Sequence, residues 1–187
     1  EVLLKPASAG TGVIAGAGKV TYNGNATQTL ATLTYPGLKI NMQGVNVALA
    51  AAGPVTISFT GDFELTSPVG TLDLTTNDAI LKYTGGDAQQ IKTIAPTLHH
   101  LTVDGAGTLQ FAVDVTLEGN MTLTAGTLNG TGRTITVKGN WAVTGGNFTQ
   151  TGSTVVLNGS GQTVSAEVFN DLNISNTGGS VTLSGDI

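Results

Sequence analysis

Thr116-Leu117-Glu118-Gly119-Asn120-Met121-Thr122-Leu123-Thr124-Ala125-Gly126-Thr127-Leu128 returns twenty residues later as Thr136-Val137-Lys138-Gly139-Asn140-Trp141-Ala142-Val143-Thr144-Gly145-Gly146-Asn147-Phe148. Apolar stands on apolar, Gly on Gly, Asn on Asn and Thr on Thr. Internal periodicity outranks other signals because it sets the whole architecture. A period of twenty is too short for a helix pair and suits one coil of a solenoid in which each turn stacks on the last. Within the stretch, Leu117, Gly119, Met121 and Leu123 alternate with Glu118, Asn120 and Thr122. That is the two-residue period of a strand with one buried face.

The same texture runs along the chain. Short apolar runs recur at 57–65, 72–74, 80–83, 134–137, 155–157 and 181–183. No segment has the i, i+3, i+4, i+7 spacing of an amphipathic helix. Asn23-Gly24, Gly85-Gly86, Asn129-Gly130, Gly145-Gly146, Asn158-Gly159 and Gly178-Gly179 punctuate the runs, supplying residues that tolerate positive φ where the chain bends.

A longer repeat overlies the short one. Gln-x-apolar occurs at Gln28-Thr29-Leu30, Gln89-Gln90-Ile91 and Gln162-Thr163-Val164. It is followed each time by Tyr35-Pro36-Gly37-Leu38-Lys39-Ile40, Leu98-His99-His100-Leu101-Thr102-Val103 or Phe169-Asn170-Asp171-Leu172-Asn173-Ile174. A third element, Gly, Asn/Asp, large apolar, occurs at Gly61-Asp62-Phe63, Gly119-Asn120-Met121, Gly139-Asn140-Trp141 and Gly185-Asp186-Ile187. These elements divide the chain into an N-terminal arm or cap over 1–17 and a β-repeat domain over 18–187. The repeat units fall near 18–78, 79–152 and an incomplete 153–187.

The segment from Phe169 to Asp186, and that from Gly119 to Phe148 with its Gly-Asn-Trp and Ala-Gly-Thr-Leu-Asn-Gly pieces, resembles the β-strand repeats of very large secreted prokaryotic surface proteins, adhesin-like and fibre-forming. The resemblance covers 80–187 well and 18–75 loosely. It implies a parallel β-solenoid and a structural role at the cell surface, and it carries no chemistry. Together with the period it predicts an all-β fold, a parallel β-solenoid of about nine coils of roughly 20 residues, stacked at about 4.8 Å. The alternative is an antiparallel β-sandwich that polymerises by strand donation.

Composition narrows the function. Charged residues make up 10% of the chain and the net charge is −5, against roughly 25% charged in an ordinary soluble domain. One arginine, Arg133, and six lysines give no basic footprint for nucleic acid. No run approaches the roughly 18 apolar residues of a membrane helix. Cysteine is absent, so disulfides and thiolate metal sites are excluded. The expected location is extracellular or at the cell surface.

No catalytic, cofactor-binding or metal-ligating set is expected. His99 and His100 are the two histidines. Neighbours in a strand face opposite ways and would share a metal only if a turn separated them. They occupy slots that hold Pro36-Gly37 and Asn170-Asp171 in the other copies, which points to the surface. The carboxylates are scattered, and with one arginine a cluster of acids and bases on one face is hard to build. Gly85-Gly86-Asp87 matches one fragment of a calcium-binding repeat without recurring, and Gly10-Thr11-Gly12 lacks the Gly-Lys-Ser/Thr of a phosphate loop. Asn-x-Ser/Thr sequons at Asn25, Asn120, Asn129, Asn147, Asn158 and Asn173 follow from the composition. A column of Thr116 and Thr136 is too short to suggest ice binding.

A solenoid has two open ends whose strands carry unpaired backbone groups. Gly185-Asp186-Ile187 followed by Glu1-Val2 of another copy would repeat the alternation of Gly61-Asp62-Phe63-Glu64-Leu65. The expected assembly ends are therefore Glu1, Val2, Leu3 and Leu4 at one side and Gly185, Asp186 and Ile187 at the other. Their contact builds a head-to-tail homopolymer, a non-enzymatic fibre or surface-layer subunit. The alternative is an adhesin or carbohydrate-binding module with surface glycans as partners. Trp141 and Phe148 would be its obvious aromatics, yet they align with the core positions Met121 and Leu128.

Overall fold

A computed structural model describes residues 12–13, 18–24, 28–42, 47–49, 54–66, 74–75, 78–93 and 97–185. Among them every strand pairing is parallel, as in Leu101 beside Met121, Ile135 beside Val155 and Ala88 beside Thr108, and there is no helix. The chain is a parallel β-solenoid, and the antiparallel sandwich is set aside.

The described strands fall on three faces visited in fixed order, although the coil that begins with Thr56–Phe59 has no described third-face strand and the coil that begins with Thr163–Ser165 has none on the second. The first face is a nine-stranded sheet running from Gly12–Val13 to Thr182–Ser184. The second has seven strands, from Val20–Gly24 to Asn147–Thr149. The third position in the coil is held by Gln28–Leu30 paired with Val47–Leu49, and later by five strands from Thr97–Leu98 to Asp171–Ile174.

The twenty-residue repeat is the coil spacing. Thr116 pairs with Thr136, Met121 with Trp141, Leu123 with Val143 and Leu128 with Phe148. The three-faced coil recurs about seven times, fewer than the nine expected from dividing length by period. Longer coils in the first half account for the difference. Leu38 pairs with Phe63 and Phe63 with Ile91, so these turns are longer than twenty residues.

The longer motif marks a strand–corner–strand segment wherever it falls, because its copies land on different faces. Gln28, Gln89 and Gln162 lead the third, second and first faces respectively, and the Leu-x-Ile/Val elements that follow lie on the second, first and third.

Alternation decides which side chains enter. Leu81, Leu101, Met121, Trp141 and Val164 form one continuous buried column. Each such Leu or Met contributes about 1.5–3 kcal/mol by leaving water. Coils this close leave no room for a side chain at some corners. A Cβ on Gly105 would lie 2.2 Å from the Gly85 carbonyl oxygen of the coil before, so the tight corner requires glycine there.

Candidate functional site: the open last coil and a histidine corner

The core columns run into solvent at the C-terminal end. Leu117, Val137, Leu157 and Ile174 are level on the third face. The first three are fully buried, whereas Ile174 is 52% exposed. On the first face Val164 is buried and its neighbour Leu183 is 43% exposed. Val168, between strands Thr163–Ser165 and Asp171–Ile174 in sequence, is 62% exposed. Beneath them Phe169 packs edge-on against Trp141, with ring centres 5.5 Å apart, and tilted against Phe148 at 6.2 Å. Strands Asp171–Ile174 and Thr182–Ser184 end their sheets, so each has one edge without a neighbouring strand among the described residues.

Of the expected assembly ends, Gly185 is described, and Glu1, Val2, Leu3, Leu4, Asp186 and Ile187 lie outside the described residues. Gly185 has φ +138°, and a Cβ there would meet that of Ala166 at 2.7 Å.

Trp141 and Phe148 are in the core, as their alignment with Met121 and Leu128 predicts. The threonine column Thr97, Thr116, Thr136 gives way to Val156 on the next coil.

Sequence reasoning missed a charged cluster on the second face. Contrary to the expectation that acids and bases would stay apart, Lys39, Glu64 and Lys92 are level on successive coils, with Lys19 and Asp62 beside them. Lys19 bonds Glu64, Lys39 lies 3.6 Å from its other oxygen, and Lys92 reaches Asp62 at 2.6 Å. The unequal coils align residues that no constant period would align. Partial burial pushes the Glu64 carboxyl up, but the Lys19 bond and the surrounding lysines outweigh it and hold it below its ordinary value. Asp62 follows the same pattern, with Lys92 and the Gln90 amide prevailing over burial. Asp62, Gln90, Lys92 and Gln110 line a shallow open groove. Both carboxylates there are tied to lysines, an arrangement that stitches coils together.

The histidines also depart from expectation. The chain bends at His99, between strands Thr97–Leu98 and His100–Val103, so the two rings do not face opposite ways. They stack with centres 4.3 Å apart, and both reach Asp78 Oδ1, His99 Nε2 at 3.2 Å and His100 Nε2 at 2.8 Å. Pro36-Gly37 and Asn170-Asp171 in the equivalent slots are turn formers, and they were the available signal of this corner. Asp78 carried no signal, because it becomes level with the histidines only through the pairing of Ile80 with His100.

From this corner a polar ladder climbs the stack. The Asn120 amide donates to His100 Nδ1, the Asn140 amide to Asn120 Oδ1 and the Thr163 amide to Asn140 Oδ1, each at 2.8 Å. The Gly-Asn pairs of the short repeat are thus the rungs that join consecutive coils.

The fold defines a class, the three-faced parallel β-solenoid. Compared with protein-family models, with curated proteins and with solved structures, the chain has no match. No helix among the described residues is long and apolar enough to cross a membrane.

Proposed function

We propose that the protein is a non-enzymatic structural subunit of an extracellular fibre or cell-surface layer, extended head-to-tail by stacking its last coil on the first coil of another copy. The observation that carries this reading is the exposure of Ile174 and Leu183 where their neighbours on the adjacent described coil, Leu157 and Val164, are fully buried. Large exposed apolar side chains on the unpaired edges of two sheets invite further strands. At the opposite end the sheets begin with Gly12–Val13 and Val20–Gly24, also single-sided among the described residues. A second copy placed there continues the same parallel pairing. Such a contact is heterologous and does not close on itself, so it propagates. The low charge of the chain favours association over repulsion, and the resemblance to secreted surface repeats agrees with an extracellular setting.

Deleting residues 1–10 and imaging the purified chain by electron microscopy tests the polarity of the contact. The expected result is filaments from the full chain and few or none from the truncated one. Filaments of undiminished number and length after truncation would overturn it.

A further inference from the structure

The corner of Asp78, His99 and His100 lies on a middle coil, away from the end that stacking would use, and its hydrogen bonds fix where each imidazole carries its proton. His99 Nδ1 lies 3.1 Å from the Thr75 carbonyl oxygen. A carbonyl only accepts, so in the neutral ring the hydrogen is on Nδ1 and Nε2 presents a lone pair. That lone pair faces Asp78 Oδ1 at 3.2 Å, and a carboxylate oxygen also only accepts. The two groups therefore meet favourably when a positive charge lies between them, either a second ring proton or a bound metal ion. His100 is the opposite tautomer. Its Nδ1 accepts the Asn120 amide at 2.8 Å, so Nε2 carries the hydrogen and donates it to the same Asp78 oxygen at 2.8 Å.

We propose that His99 Nε2 and the Asp78 carboxylate bind a first-row transition-metal ion of the zinc type, with His100 holding the carboxylate in place from the outer shell. The 3.2 Å between the two ligand atoms matches the separation of about 3.3 Å expected on a tetrahedral ion with bonds of about 2.0–2.1 Å. The donor atoms of all three residues lie within 4.8 Å of one another. Imidazole with carboxylate favours zinc, copper or nickel over calcium or magnesium. The Thr75 and His100 contacts are the outer-shell bonds that orient ligands at such sites. Water completes the coordination, since Asp78 is exposed and both rings are about one-fifth exposed.

The surroundings are fitted to the rings. A Cβ on Gly119 would lie 2.4 Å from His99 Cδ2 and 2.5 Å from His100 Cε1, so the coil above leaves the imidazoles their space by having no side chain there. Asp78 holds a left-handed backbone conformation, φ +51°. Such a conformation in a residue other than glycine is held by its surroundings and recurs at ligand sites. A metal bound here would pin the longer first-half coils to the regular coils above.

The test is calorimetric titration of the untagged full chain with Zn2+ and, separately, Ca2+, together with Co2+ absorption. One Zn2+ per chain, a tetrahedral Co2+ spectrum and no Ca2+ uptake are expected. His99→Gln and Asp78→Asn should each abolish binding. His100→Gln should weaken it about 10–100-fold, the usual effect of losing an outer-shell partner, and Gly119→Ala should weaken it by displacing both rings. Unchanged circular dichroism of the His99→Gln chain would show that loss of binding is not loss of fold. The proposal is overturned if the wild-type chain takes up no Zn2+ at millimolar concentration, if Ca2+ binds as well as Zn2+, or if His99→Gln and Asp78→Asn leave Zn2+ binding unchanged.

Discussion

Leu157 and Ile174 stand on adjacent coils in one column of the third face, and one is sealed while the other is half in water. The difference is not in the residues, since both are large, aliphatic and strand-forming. It lies in what comes above: Leu157 has a coil over it, and Ile174 has none among the described residues. Burial in a solenoid is conferred by the neighbouring coil, so each coil is stable in proportion to how completely it is sandwiched.

Paired substitutions along that column would break or sharpen the contrast. Leu157→Ala should cost about 2–5 kcal/mol, the range for a large-to-small change in a packed core. Ile174→Ala in the unassembled chain should cost under about 1 kcal/mol. Chemical denaturation of dilute protein measures both, and equal costs would mean that the end is covered in solution. Next in size is the interior corner. Gly105→Ala would place a Cβ 2.2 Å from the Gly85 carbonyl oxygen, forcing the two coils apart, and should cost about 1–3 kcal/mol by overpacking.

The charged cluster on the second face and the Lys82–Asp104 pair beside the first predict an acid sensitivity. Asp62, Glu64 and Asp104 ionise below their ordinary values, the last through the Lys82 ammonium 2.7 Å away. As pH falls, the unfolded chain takes up protons before these folded carboxylates do. The stability they contribute is therefore full above about pH 5 and is lost as pH drops through their folded values. Thermal melting at pH 7, 5 and 3 should show a falling midpoint, and Lys92→Met should flatten part of the fall. The smallest effect is expected at the exposed Lys138–Glu118 pair, 2.6 Å apart on adjacent coils. Glu118→Gln should change stability by less than about 1 kcal/mol.

Legibility followed the regularity of the coil. From Thr97 to Phe148 the spacing stays near twenty, so Met121 over Trp141 and Asn120 over Asn140 can be read directly from sequence. From Val20 to Ile91 the coils are of unequal length. The grouping of Lys39, Glu64 and Lys92, or of Asp78 with His100, depends on registers that only the folded backbone fixes. The longer motif misled for a related reason. Corners of different faces use the same residues, so Gln89 and Gln162 look alike in sequence while standing on different sheets. The exposure of Val168, Ile174 and Leu183 could be seen only once the columns were in place.

The most direct test of end-to-end stacking is sedimentation of the wild-type chain beside an Ile174→Lys/Leu183→Lys variant across rising concentration. Stacking through the last coil predicts a sedimentation coefficient that climbs with concentration for the wild type and stays at the monomer value for the variant, with the two circular dichroism spectra superimposable. A wild-type chain that remains monomeric at high concentration, or a variant that assembles as readily, would contradict it.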